Sequence, residues 1–121
     1  MKKIFINHTN HPSAEWNEKQ WAATKDFGSV QDFPFPVIGA EWEENRVLQL
    51  VQENCKKILD MQPNAVLCQG EFYYCYHLVN LLKKHGILVL TACSERKTKE
   101  WNEGGRTVKE ATYSFVRFRK Y

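Results

Sequence analysis

The chain has 121 residues, of which 43% are hydrophobic and 13% aromatic, enough for one buried core and too few for a separate catalytic module beside it. No segment approaches the roughly 18 to 20 apolar residues that a bilayer demands. Met1-Lys2-Lys3 followed by three apolar residues is too short for a secretory signal, so the expected location is the cytoplasm. The net charge of +3 hides an asymmetry, because residues 96–121 hold eight Lys/Arg against three Asp/Glu. A basic end on a near-neutral body favours an anionic partner, phosphates first; the other reading is a solvated edge that resists aggregation.

In chain order, Lys3 to Asn7 is predicted as a first strand, running into the polar segment Asn7-His8-Thr9-Asn10-His11-Pro12-Ser13. Ser13 is expected to cap a helix that is acidic early, at Glu15 and Glu18, and shows Trp16, Gln20, Ala23, Thr24 and Phe27 on one face until Gly28 stops it. Val30 to Phe33 reads as a short second strand, ended by Pro34 and Pro36, which remove donors and fix φ. From Trp42 to about Met61 the recurrence of Val47, Leu48, Val51, Cys55, Ile58 and Leu59 is helical, and Pro63 closes that helix.

Ala65 to Cys68 makes a third strand, Glu71 to His85 a third helix ended by Gly86, and Ile87 to Thr91 a fourth strand. This alternation predicts an α/β domain with a mainly parallel sheet and helices on its faces. Right-handed crossovers then give the strand order 2-1-3-4. Beyond Arg96, Lys97 to Trp101, a Glu103-Gly104-Gly105-Arg106 turn and Thr107 to Phe118 read as an antiparallel β-hairpin along the sheet edge. Residues 1–121 thus form one domain, with 97–121 as hairpin, edge and candidate dimer element.

Ligands of such sheets settle outside the carboxyl ends of the strands, at the point where the strand order reverses. That places Asn7, His8, Thr9, Asn10 and Ser13 on one side of a site and Gln69, Gly70 and Glu71 on the other. Gly70 precedes a helix N-terminus, which favours an anion, and its missing Cβ would permit close approach. It is a lone glycine, however, and Glu71 would oppose an anion, so Gln69 to Glu71 either touch a ligand or cap the helix.

At the fourth strand's end stand Ser94, Glu95, Arg96 and Lys97. Arg96 would hold a phosphate bidentately and Ser94 would position a phosphodiester oxygen, against the alternative of a capped turn with an exposed ion pair. His8 and His11 suit donation to phosphate or proton transfer better than metal binding, since no third ligand follows at a clear spacing. Cys55, Cys68, Cys75 and Cys93 form no Cys-x-x-Cys pair and read as reduced packing residues. Neither a metal nor another cofactor is expected. The four tryptophans are dispersed, and most read better as core or dimer packing than as a base-stacking set; Trp16 is the one near the proposed site.

The segments Ile6 to Ser13 with Trp16 and Gln20, Asp32-Phe33-Pro34-Phe35-Pro36, Gln69-Gly70-Glu71-Phe72, Cys93-Ser94-Glu95-Arg96 and Phe115 to Tyr121 together resemble a bacterial family. It is that of the small single-domain CRISPR-associated proteins with the CRISPR-associated Rossmann-like fold, some of which are ring nucleases. The resemblance spans nearly the whole chain. It implies a three-layer Rossmann-like domain acting in antiviral defence as a homodimer, with a cyclic oligoadenylate bound across the two-fold axis. It also implies metal-independent cleavage, in which a ribose 2′-hydroxyl attacks the adjacent phosphate. No catalytic motif of that family transfers residue by residue. Placement alone puts Ser94 in positioning, Arg96 or Lys97 in charge stabilisation, and His11 in proton transfer.

Two other readings share these residues. One is a sensor or sponge that binds such a nucleotide without cutting it. The other is an interaction protein that docks another protein or a nucleic acid along its basic edge, through Arg117 and Arg119.

Overall fold

Ile4–Thr9 forms the first strand, β1, and from Phe5 to Thr9 every residue is buried, as a central strand covered on both faces requires. The computed structural model describes residues 2–121. After β1 come a 3-10 turn at Ser13–Glu15, α1 (Glu18–Ala23), β2 (Ser29–Asp32), α2 (Glu44–Asp60), β3 (Ala65–Gln69), α3 (Phe72–Lys84), β4 (Leu88–Glu103) and β5 (Arg106–Lys120). The strands form one mixed sheet in the order β2-β1-β3-β4-β5. The first three pairings are parallel, as the order 2-1-3-4 predicts, and β5 joins β4 antiparallel.

Successive side chains of a strand point to opposite faces, so the central strands feed two separate apolar clusters. Ile6, Val66, Cys68 and Val89 pack against Val47, Val51, Ile58, Leu78 and Leu82 of α2 and α3. Phe5, Ala65, Leu67 and Leu90 pack on the other face with Trp16, Phe115 and Phe118, joined by Ala23 and Phe27. Among the described residues no helix is long and apolar enough to cross a membrane.

Two regions differ from the sequence expectation. Ser13 does not cap a long helix: its backbone N–H and its hydroxyl both donate to the Asp32 carboxylate, and its segment makes only a 3-10 turn. The α-helix starts later, where Asn17 Oδ1 accepts from Gln20 N at 2.9 Å, and it spans six residues. A side chain committed to a neighbouring strand cannot also cap its own.

The second difference concerns β4. It does not end at Thr91 but continues through Cys93-Ser94-Glu95-Arg96 to Glu103, because β5 supplies ladder partners from Leu90 to Glu103. β3 pairs with β4 only from Ala65 to Leu67. Beyond Cys93 the two last strands therefore form a ribbon that leaves the sheet. The turn at its tip is made by Gly104 and Gly105, both with positive φ (57° and 79°), as a two-residue hairpin loop of the mirror-image type demands. Along the ribbon Lys99 faces Glu110, Glu100 faces Lys109 and Glu103 faces Arg106, so much of its basic charge is compensated across the strands.

Candidate functional site

At the carboxyl end of β1 the chain turns sharply and polar side chains hold the turn. Asn7, only 2% exposed, uses both amide hydrogens: Nδ2 donates to the His11 carbonyl at 2.9 Å and to Asp32 Oδ1 at 2.9 Å. Thr9 Oγ1 donates to Asn7 Oδ1 at 2.9 Å and accepts from His11 N at 3.1 Å. Buried polar atoms must be paired, and here they pair with one another. Asn7 and Ser13 are thereby committed to holding the loop, while Asn10 and His11 stay exposed.

His8 points the other way, into the core, where it is fully buried. Nδ1 lies 2.7 Å from the Phe33 carbonyl, which can only accept, so the proton sits on Nδ1. Nε2 then accepts from Tyr74 Oη at 2.6 Å, and Tyr74 Oη in turn accepts from Asn54 Nδ2 at 2.9 Å. Burial lowers the imidazole pKa, partly opposed by the Phe33 hydrogen bond, and burial raises that of the Tyr74 phenol. Both groups stay neutral, and the structure places His8 away from the loop surface that carries His11.

Gln69, Gly70 and Glu71 separate into three roles. Glu71 Oε1 accepts from Tyr74 N at 2.7 Å and so caps α3. The space left by the missing Cβ of Gly70 is taken by the Phe35 ring, into which a side chain there would run. Gln69 Oε1 accepts from Thr91 Oγ1 at 3.1 Å and from Ala92 N at 2.9 Å. That fixes the Gln69 side chain across the end of the parallel sheet. Of the three, only Gln69 lines the pocket described next.

An open pocket of about 590 Å³ lies between the β1 loop, α1 and the root of the ribbon, lined by Thr9, His11, Gln20, Gln69, Ala92, Ser94 and Tyr113. A second hollow of about 200 Å³ shares Thr9 and is walled by Asn7, Asn10, Pro12, Asp32, Pro34 and Phe35. His11 and Ser94, distant in sequence, thus line one cavity. Register explains how Arg96 stands: it pairs with Tyr113, and Ser94 pairs with the buried Phe115, so these four share the ribbon face turned to the α1 side. Glu95 and Lys97 pair with Ser114 and Thr112 on the opposite face.

Sequence reasoning missed Gln20 and Tyr113 as pocket residues and Asp32 as the anchor of the loop. For Tyr113 a signal was present, since counting outward from the Gly104-Gly105 turn sets it opposite Arg96. For Asp32 there was none, because its bonds span 19 and 25 residues. Among the described residues no cluster of three or more His, Cys, Asp or Glu is placed to hold a metal ion.

No curated protein and no solved structure matches the chain. A family model does, over residues 3–119, which takes in β1 to β4, the pocket and all of β5 but Lys120. The chain belongs to the Uncharacterized protein MJ1673 family.

Proposed function

We propose that the chain is a three-layer, Rossmann-like nucleotide-binding domain of the cytoplasm, acting as a homodimer in CRISPR-linked antiviral defence. Its ligand is a cyclic oligoadenylate and its activity is metal-independent opening of that ring. The observation that carries this reading is the meeting of His11, Ser94 and Gln69 in one pocket beyond the carboxyl ends of β1 and β3, at the root of the ribbon. Gln20 and Gln69 offer amide groups to a base edge. The exposed Tyr113 ring offers a face for stacking. Arg96, paired with Tyr113, offers a guanidinium to phosphate.

In the reaction a ribose 2′-oxygen bonds to the adjacent phosphorus while the P–O5′ bond breaks, leaving a 2′,3′-cyclic phosphate and a 5′-hydroxyl. The 2′-hydroxyl loses one proton and the 5′-oxygen gains one. His11 serves that transfer, Ser94 positions a non-bridging oxygen, and Arg96 offsets the charge that gathers on phosphorus oxygens.

The test is incubation of chelator-treated protein with cyclic oligoadenylates of several ring sizes and separation of the products. Linear fragments ending in 2′,3′-cyclic phosphate support the reading. Unchanged rings retained by the protein support a sensor or sponge instead, and failure to retain any ring sinks the nucleotide reading altogether.

A further inference from the structure

We infer that Asp32 is a positioning residue for His11, acting as a clasp that closes the loop from both ends. His11 sits on an exposed loop, and an exposed loop residue holds one backbone geometry only if something offsets the conformational entropy lost in ordering it. Here the His11 carbonyl is held by Asn7 Nδ2 at 2.9 Å and its N–H by Thr9 Oγ1 at 3.1 Å. Asn7 and Thr9 are in turn bonded to each other at 2.9 Å. Both backbone groups of His11 therefore depend on the orientation of the Asn7 side chain.

That orientation depends on Asp32. Asn7 and Asp32 are register partners in the parallel β1–β2 pair, and Asp32 Oδ1 accepts from Asn7 Nδ2 at 2.9 Å. The same carboxylate accepts from Ser13 N at 3.3 Å and from Ser13 Oγ at 3.1 Å, beyond His11 in the chain. One charged acceptor thus fixes the loop before and after His11, and bonds to a charged acceptor are the stronger kind. With Asp32 removed, the nearly buried Asn7 amide keeps a donor with no partner and has reason to turn. The His11 carbonyl would then keep only the longer, 3.2 Å contact from Thr9 Oγ1.

The consequence for turnover rests on the ring-opening reading above, whereas the clasp itself does not, and the experiment separates the two. Amide hydrogen exchange by NMR is compared for the unaltered chain, Asp32→Ala and Asp32→Asn. In Asp32→Ala the amides of His11 and Ser13 exchange about tenfold faster or more, while that of the core residue His8 changes by less than about twofold. In Asp32→Asn the amide oxygen still accepts from Asn7 while its nitrogen turns a donor towards Ser13, so Ser13 loosens and His11 stays protected. If Asp32→Ala does not fold, this contrast within Asp32→Asn decides the matter. Unchanged exchange at His11 in a folded Asp32→Ala, or loosening of His11 and Ser13 alike in Asp32→Asn, overturns the clasp.

With a cyclic oligoadenylate as substrate, Asp32→Ala lowers kcat on the order of 100-fold while KM moves by less than about threefold, since a displaced loop costs geometry more than affinity. Asp32→Asn recovers about tenfold of that loss. A rise in KM with kcat unchanged means that Asp32 meets the ligand directly, and overturns the positioning role. An unaltered chain that opens no ring sinks the ring-opening reading, and the exchange data then decide the clasp alone.

Discussion

Tyr74 Oη and His8 Nε2 meet at 2.6 Å in the core, joining the first turn of α3 to β1 through one neutral hydrogen bond. Because the phenol also accepts from Asn54, it serves two buried polar groups at once. Tyr74→Phe leaves both unpaired and is expected to destabilise the fold by about 1–3 kcal/mol. Denaturant titration measures it, and a loss below about 0.5 kcal/mol would mean that the network relaxes onto other partners.

The same network sets a pH dependence. Burial lowers the His8 pKa from its ordinary 6.5, so between that value and the folded one the unfolded chain binds a proton that the folded chain does not. Stability is complete above 6.5, falls as the pH drops below it, and levels off under the folded value. Melting temperatures from about pH 8 to about pH 5 are expected to fall less steeply in His8→Gln, whose uncharged amide can both give to Phe33 and accept from Tyr74. Equal slopes in the two proteins would take His8 out of the account.

Glu71 is a helix cap, and its removal tests that role. Glu71→Ala is expected to cost about 1 kcal/mol and Glu71→Asp much less, with nucleotide retention unchanged in both. A loss of retention at full stability would return Glu71 to the ligand.

Gly70 is small because Phe35 lies against it. Gly70→Ala is expected to cost about 1–3 kcal/mol by overpacking, and pairing it with Phe35→Leu should recover part of the loss. Thermal melts of the single and double variants decide it. A double variant no better than Gly70→Ala alone would locate the strain elsewhere.

The two faces of the ribbon should differ in function. Tyr113→Leu and Arg96→Ala are each expected to weaken retention of a cyclic oligoadenylate about tenfold, while Glu95→Ala and Lys97→Ala change it by less than about twofold. Equal losses from both faces would point to diffuse charge attraction instead of a built site, and raising the salt would then abolish them together.

The parallel core was legible because its signals are local. Ile4-Phe5-Ile6, Val66-Leu67-Cys68 and Leu88-Val89-Leu90 are apolar runs between turn signals, and the α2 stripe announces itself by spacing alone. The antiparallel hairpin and its Gly104-Gly105 turn were legible as well, whereas the unbroken run of β4 into that hairpin and the β1 loop were not. A ribbon solvated on both faces shows no apolar alternation, so Ser94 to Arg96 read as a strand's end when they are its continuation. Ser13 carries a strong capping signal, which Asp32 overrides from a strand 19 residues away. His8 and His11 look alike in sequence, yet strand parity sends the first into the core and leaves the second in the open.

Parity also governs the ribbon. In β4 the even-numbered residues Leu90, Ala92, Ser94 and Arg96 keep to one face throughout. In β5 their partners change from Lys120 and Phe118 to Phe115 and Tyr113, because Val116 is an extra residue at the irregularity opposite Cys93 and Ser94. Val116 therefore works as a phase offset between the rooted part of the strand and its free part. Deleting it would join Phe115 directly to Arg117, opposite Ser94 and Cys93 as before, and would remove the local bend and twist that an extra residue gives a strand. With the offset in place, Phe115 stands in the cluster it shares with Phe118, where the rings lie 5.0 Å apart, and Tyr113 lines the pocket. One inconspicuous residue thus keeps two aromatic neighbours of opposite numerical parity on a common surface.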